Sequence, residues 1–153
     1  MKKILSIALI LGAFACKNNE KNSQNKTQKN YTTTSEVKST GNTDLDISIA
    51  KGKSIYNKLC ATCHLPSGKG IPGTYPPLDG SNWLTEKRKA SIKAVKFGLQ
   101  GPITVNGKEY NNVMTNMGLT DKQVADALNY SMNSWSNSNT DMITPEEVAQ
   151  IEK

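Results

Sequence analysis

Cys60-Ala61-Thr62-Cys63-His64 has the form C-x-x-C-H, the pattern of a covalent c-type haem site. Each thiol can add across a vinyl group of the porphyrin to form a thioether. Two intervening residues on a helical turn bring both sulfurs to one edge of the ring. The next residue then carries an imidazole to the iron. His64 is the single histidine of the chain, and it stands where a proximal ligand has to be. Two other uses of the motif compete with this one. A thioredoxin-like dithiol belongs in a βαβ pattern, and none is visible here. Half of a zinc site needs further nitrogen or sulfur ligands, and this chain offers only one more cysteine, Cys16, and no second histidine. The motif therefore predicts one haem c held by Cys60 and Cys63 and ligated by His64.

The length of 153 residues makes one compact domain the expectation. With two of three cysteines used by haem, no pair is left for a disulfide. The formal charge of +6 is spread along the chain, and residues 45–153 hold twelve basic and ten acidic side chains. The folding part is only mildly basic, so no nucleic-acid partner is implied and a monomer is expected.

Upstream of the motif, residues 1–15 read as an export signal. Lys2 and Lys3 precede an apolar run, Ile4–Leu11, and small residues follow. That run is too short for a permanent span. Cleavage after Ala13-Phe14-Ala15 by ordinary signal peptidase competes with lipidation of Cys16 as the first residue of a bacterial lipoprotein. Ala13 departs from the usual Leu of a lipobox, but a Cys directly after a small residue favours the lipoprotein reading. The expected location is the periplasmic side of a bacterial membrane, lipid-anchored, with a soluble periplasmic form as the alternative. Lys17–Asp44 is dominated by Asn, Lys, Thr, Ser and Gln, and its composition predicts a disordered tether. Treated as a flexible coil, it reaches about 30 Å. The expected division is leader 1–15, lipidated Cys16 plus tether 16–44, and a haem domain 45–153.

Within that domain, Leu45, Ile49, Gly52, Tyr56 and Leu59 recur at helical steps and predict a helix over 45–59 running into the motif. Gly52 in its middle signals something packed against the backbone. After His64, prolines and glycines punctuate an irregular loop. A second helix is predicted from about Thr85 to Phe97, ended by Gly98, its exposed face carrying Lys87, Arg88, Lys89, Lys93 and Lys96. Ile103 to Tyr110 reads as a β-hairpin around Asn106-Gly107. Thr120 to Trp135 is the clearest helix, opened by a Thr120/Gln123 capping box, with Val124, Ala127, Leu128, Ser131 and Trp135 on one stripe and Asn137-Ser138-Asn139 breaking it. Thr144-Pro145-Glu146-Glu147 opens a last short helix.

An iron held by His64 has a second axial position. With no other histidine, a methionine thioether is the remaining soft donor. Met114 and Met117 lie in the loop before the C-terminal helix, where a side chain can be brought over the haem. Met1 leaves with the leader, Met132 belongs to packing or surface, and Met142 sits near the end.

The residues resemble single-haem class I cytochromes c, from about Ile49 to Glu147. They are similar above all to the small cytochrome c domains that accompany bacterial copper nitrite reductases and quinoprotein dehydrogenases. The matching words are Gly52-x-x-x-Tyr56, the haem motif, Gly70-Ile-Pro-Gly73, Tyr75-Pro-Pro-Leu78-x-Gly80-Ser-x-Trp83, Gly98-Leu-Gln-Gly-Pro-Ile-Thr-Val-Asn-Gly107, Tyr110, Val113-Met114 and Asn133-Ser-Trp135. The resemblance implies an all-α class I cytochrome c fold: three main helices around one covalent haem, a small β-hairpin and a short C-terminal helix. It implies Met114 as the axial ligand. Relatives place Pro after this Met, where Thr115 and Asn116 stand here, so Met117 is kept as the alternative. It also implies that the Pro76 carbonyl holds the N–H of His64, and that Gly52 and Tyr56 cross the C-terminal helix near Tyr130.

A six-coordinate haem has no open position for substrate, and no nucleophile stands beside a base in this sequence. The function expected is therefore electron transfer, not catalysis, between membrane or periplasmic redox partners such as a dehydrogenase, reductase or oxidase. The lysine-rich Glu86–Lys96 face is a candidate for steering an acidic partner, against the plainer reading of a solvated helix face. Two alternatives stand beside the shuttle: a haem-based sensor with a labile sixth site, and a dedicated cytochrome subunit of an oxidoreductase complex.

Overall fold

The computed structural model describes residues 43–153. The leader, Cys16 and the tether up to residue 42 lie outside the described residues. Helix α1 spans Asp44–Ile55, one residue earlier than Leu45. Thr43 caps it. The Thr43 Oγ1 accepts from the Asp46 amide at 3.2 Å, and the Asp46 carboxylate accepts from the Thr43 amide at 3.0 Å. This is a capping box built with Asp.

The helix does not run on as an α-helix to Leu59. Tyr56–Cys60 forms one π-helical turn, closed by the Ala61 amide donating to the Tyr56 carbonyl, and α2 (Ala61–His64) follows. The extra residue in this turn rotates the chain, as π-bulges do. Tyr56 stays fully buried, while Leu59, expected on the same stripe, is 38 % exposed. Cys60 takes the inward position instead and lines the central cleft.

The single helix expected over 85–97 is two. Helix α3 (Asn82–Glu86) and α4 (Arg88–Phe97) are separated by Lys87, whose φ of −120° and ψ of 48° are not helical. The break lets Trp83 and Leu84 face the cleft while α4 buries Ile92 and Ala94. Gly98 ends α4 at φ +84°, as its position implied. Strands β1 (Ile103–Val105) and β2 (Lys108–Tyr110) pair antiparallel with Ile103 opposite Tyr110. Asn106 and Gly107 both have positive φ, which is the type I′ requirement.

Helix α5 spans Asp121–Met132, with the Thr120/Gln123 capping box formed as predicted. It stops three residues before Trp135. Asn133 and Ser134 send their side chains back to the carbonyls of Asn129 and Tyr130 at 3.0 and 2.6 Å, so local side-chain bonding competes with the helix at its end. Trp135 itself has φ +59°. Helix α6 (Pro145–Ala149) has the predicted Thr144 cap and Pro at its start.

The central core is Leu84, Ile92, Val124, Ala125, Leu128, Met132, Ile143 and Val148. Helix α5 is buried on nearly every side, because α1 crosses one face and α4 and α6 cover others. Between α1 and α5 lies a buried polar network. Ser48 donates to Asp126 at 2.6 Å, Asn129 donates to Ser48 and to the Ile143 carbonyl at 2.9 Å, and the Ile143 amide donates back to Asn129 at 2.8 Å. Among the described residues no fully buried side-chain nitrogen or oxygen lacks a partner.

The basic face of α4 is smaller than expected. Arg88 forks onto Glu147 with two bonds of 2.7 Å and also reaches the Asp141 and Met142 carbonyls. Lys96 donates to the Val148 carbonyl and pairs with Asp121 at 3.1 Å. Both cations hold the C-terminal segment in place, leaving Lys87, Lys89 and Lys93 exposed. No helix among the described residues is long and apolar enough to cross a membrane.

Candidate haem site

His64 ends α2 and is buried. Its Nδ1 lies 3.0 Å from the Pro76 carbonyl. A carbonyl can only accept, so Nδ1 carries the proton and Nε2 is the nitrogen left for a ligand bond. Burial holds the imidazole pKa below its ordinary value, with the Pro76 bond opposing that shift. The neutral ring is the form that binds a metal.

The residue after His64 is strained. Leu65 has φ +61° and ψ 155°, a region that costs a non-glycine residue on the order of 1–3 kcal/mol. The surroundings impose it. The Tyr56 hydroxyl donates to the Leu65 carbonyl at 2.7 Å, and the Gly70 amide donates to the His64 carbonyl at 3.0 Å. Tyr56 is thus more than a packing residue. It is in ring contact with Tyr130 and Trp135, centroids 5.2 Å away in both cases, and its polar end fixes the turn behind the histidine. The spacing of Gly52 and Tyr56 located the helix crossing but said nothing of this hydroxyl.

A cleft of about 80 Å³ opens beside His64. Its walls come from stretches far apart in the chain: Cys60 and His64, Pro76 to Leu78, Trp83 and Leu84, Ala94 and Val95, Ile103 and Val105 of the hairpin, Met114, and Ala127, Leu128 and Ser131 of α5. A second, adjoining cleft of about 210 Å³ shares Cys60, His64, Pro76, Leu99, Ile103 and Met114 and adds Cys63, Tyr110 and Met117. The hairpin is pinned as one wall by a reciprocal pair. The Asn82 amide donates to Asn106 Oδ1 at 2.9 Å, and the Asn106 amide donates to Asn82 Oδ1 at 2.8 Å. Burial pushes the Cys60 thiol up to about 11, with the neighbouring Cys63 adding to the shift.

Met114 and Met117 are held differently. Met114 pairs with Leu99 as an isolated bridge, with bonds of 2.8 and 2.9 Å. Gly98 makes this approach possible, since a Cβ there would stand 2.7 Å from the Met114 carbonyl oxygen. Met114 lines both clefts, whereas Met117 lines only the second and is 40 % exposed. The bridge to Leu99 was not legible in the sequence, although Gly98 signalled a helix end there.

The model of the cytochrome c family matches residues 49–135, more than half of the chain. The chain belongs to the cytochrome c family. It is 40 % identical over 96 residues to a cytochrome c-552 of Thermus thermophilus, an alignment covering 60 % of this chain and 64 % of that protein. Cytochrome c-555 of Prosthecochloris aestuarii is 32 % identical over 92 residues, covering 56 % of this chain and 86 % of the relative. The cytochrome c subunit of a quinone alcohol dehydrogenase from Gluconacetobacter polyoxogenes is 28 % identical over 134 residues, which is 81 % of this chain and 27 % of that subunit. The chain thus spans less than two thirds of the c-552 length and about a quarter of the dehydrogenase subunit. It is a class I, electron-transfer cytochrome c domain, of the kind that carries one covalent haem c. The two adjoining clefts together fit such a group: mostly apolar walls, with two thiols, one imidazole and a thioether among their lining residues.

Proposed function

We propose that Cys60 and Cys63 would hold the haem through thioethers, that His64 Nε2 and Met114 Sδ would ligate its iron, and that the Pro76 carbonyl orients the histidine. The observation that carries this reading is that Cys60, His64 and Met114 line one apolar cleft while Pro76 occupies His64 Nδ1. When bound, the group would supply a one-electron Fe(II)/Fe(III) couple. This chain's residues do the rest: apolar walls exclude water, the Pro76 bond fixes the imidazole ring, and the Leu99 bridge anchors Met114. A thioether as second donor favours the ferrous state and raises the potential.

In this proposal residues 1–15 are a leader, Cys16 is lipidated, and 16–44 tether the domain 45–153 to the periplasmic side of a membrane. The partner is a membrane or periplasmic oxidoreductase. The likeness to a dehydrogenase cytochrome subunit supports that class of partner. Optical redox titration of Met114→Ala and Met117→Ala tests the ligand set. Loss of the weak sulfur-to-iron band of the ferric protein in Met114→Ala alone supports it. Loss only in Met117→Ala overturns the assignment. Ready carbon monoxide binding by untreated ferrous protein would instead mark a labile sixth site.

A further inference from the structure

The turn that follows α5 grips both loops around His64. Trp135 Nε1–H donates to the Pro66 carbonyl at 3.0 Å. Its ring lies against Gly68, where a Cβ would come within 2.6 Å of it. Ser136 donates to Asp79 Oδ1 from its amide at 3.0 Å and also from its hydroxyl. Asn137 donates to the Leu78 carbonyl at 2.8 Å and accepts from the Gly80 amide at 2.9 Å. Three consecutive residues therefore bind two different stretches. One is Leu65 to Gly68, directly after His64. The other is Leu78 to Gly80, directly after Pro76-Pro77. The stretches also bond to each other, since the Gly68 carbonyl accepts from the Leu78 and Asp79 amides at 2.7 and 3.0 Å.

The backbone of this turn has no helical reason to be as it is. Helix α5 has already ended at Met132, and Trp135 sits at φ +59°, where an L residue is seldom found. What the conformation achieves is to direct residues 135 to 137 at the two loops together. His64 precedes one loop and Pro76 precedes the other. The separation of His64 Nδ1 from the Pro76 oxygen is therefore set by how the loops are held relative to each other.

We propose that Trp135-Ser136-Asn137 is a positioning clamp that sets the His64–Pro76 hydrogen bond and, through it, the donor strength of the imidazole toward iron. The proposal rests on the reading of His64 as an axial ligand. A carbonyl accepting from Nδ1–H makes the ring a more basic ligand. A more basic donor favours Fe(III), so loosening the clamp shifts the midpoint potential upward.

The test uses the holoprotein. Trp135→Phe keeps an aromatic ring and loses the N–H; Asn137→Ala removes the bonds to Leu78 and Gly80. Val148→Ala, in the buried core of α6 and outside the clamp's hydrogen bonds, is the control for general destabilisation. The readouts are the exchange rate of the His64 Nδ1 proton in the ferrous protein and the midpoint potential. Both clamp variants should exchange severalfold faster and shift upward in potential, while Val148→Ala lowers Tm and moves neither. Clamp variants that lose Tm like the control, with exchange and potential unchanged, overturn the proposal. Should Asn137→Ala not fold, Ser136→Ala replaces it under the same criteria. A failure of the underlying ligand reading is distinct: the wild-type protein would then lack iron-shifted His64 ring signals altogether.

Discussion

Gly52 of α1 meets Asp126 of α5 so closely that a Cβ at Gly52 would stand 1.9 Å from the Asp126 carbonyl oxygen. The obstacle is helix backbone, which cannot swing aside as a side chain would. Gly52→Ala gains about 1 kcal/mol in helix propensity. Separating the two helices should outweigh that gain, with a net loss of at least about 2 kcal/mol. Guanidinium unfolding of the holoprotein measures it, and an unchanged midpoint would mean the crossing is not tight.

Arg88 fastens α6 to α4. Its fork onto Glu147, with two added carbonyl contacts, is partly shielded from solvent. Glu147 also raises the Arg88 pKa, chiefly through the hydrogen bond. Arg88→Ala is expected to cost about 2 kcal/mol. A double-mutant cycle with Glu147→Gln should return a coupling near ~1 kcal/mol that shrinks in high salt. Arg88→Lys should recover only part of it, because an ammonium cannot engage the carboxylate through a fork.

Asp79 should respond to acid. The two hydrogen bonds from Ser136 hold its carboxyl below the ordinary value of 3.8. A carboxyl depressed in the folded state adds stability above the unfolded pKa and loses it as pH falls through the folded value. NMR titration should therefore place Asp79 below 3.8 in the native chain and closer to 3.8 in Ser136→Ala. The variant's Tm deficit should be full at neutral pH and vanish in acid.

Removing the attachment sites tests how far the cleft depends on what fills it. Cys60→Ser with Cys63→Ser leaves apolar walls from α3, α4, α5 and the hairpin facing an unfilled cleft. Apolar walls left without a partner forfeit their packing contacts and are destabilising. The double variant should lack a cooperative thermal transition by near-ultraviolet circular dichroism. A sharp transition like that of the native protein would show that the helices pack without the haem.

Several features were legible because their chemistry is local. The capping box of Thr120 and Gln123 needs only residues three apart, the Asn106-Gly107 turn only two, and the stop at Gly98 only one. Gly52 signalled a close partner because a mid-helix glycine is costly without one. The π-turn at Tyr56–Cys60, the break at Lys87 and the early end of α5 have no such signature. Each answers to a distant demand: Cys60 to the cleft, Trp83 and Leu84 to its wall, Trp135 to the loops beside His64. Arg88 and Lys96 looked like surface charge because the acceptors that draw them in, at Asp141 to Val148, lie some fifty residues on.

The order of residues alone determined the haem motif, the lone histidine and the pool of methionines, because covalent attachment and metal ligation depend on residue type at short spacing. The three-dimensional fold decided that Met114 lines both clefts beside His64 and Met117 only one, which lysines remain in solvent, and how the loops around the histidine are gripped. Those outcomes turn on contacts between segments far apart in the chain, whose geometry exists only once the helices have packed.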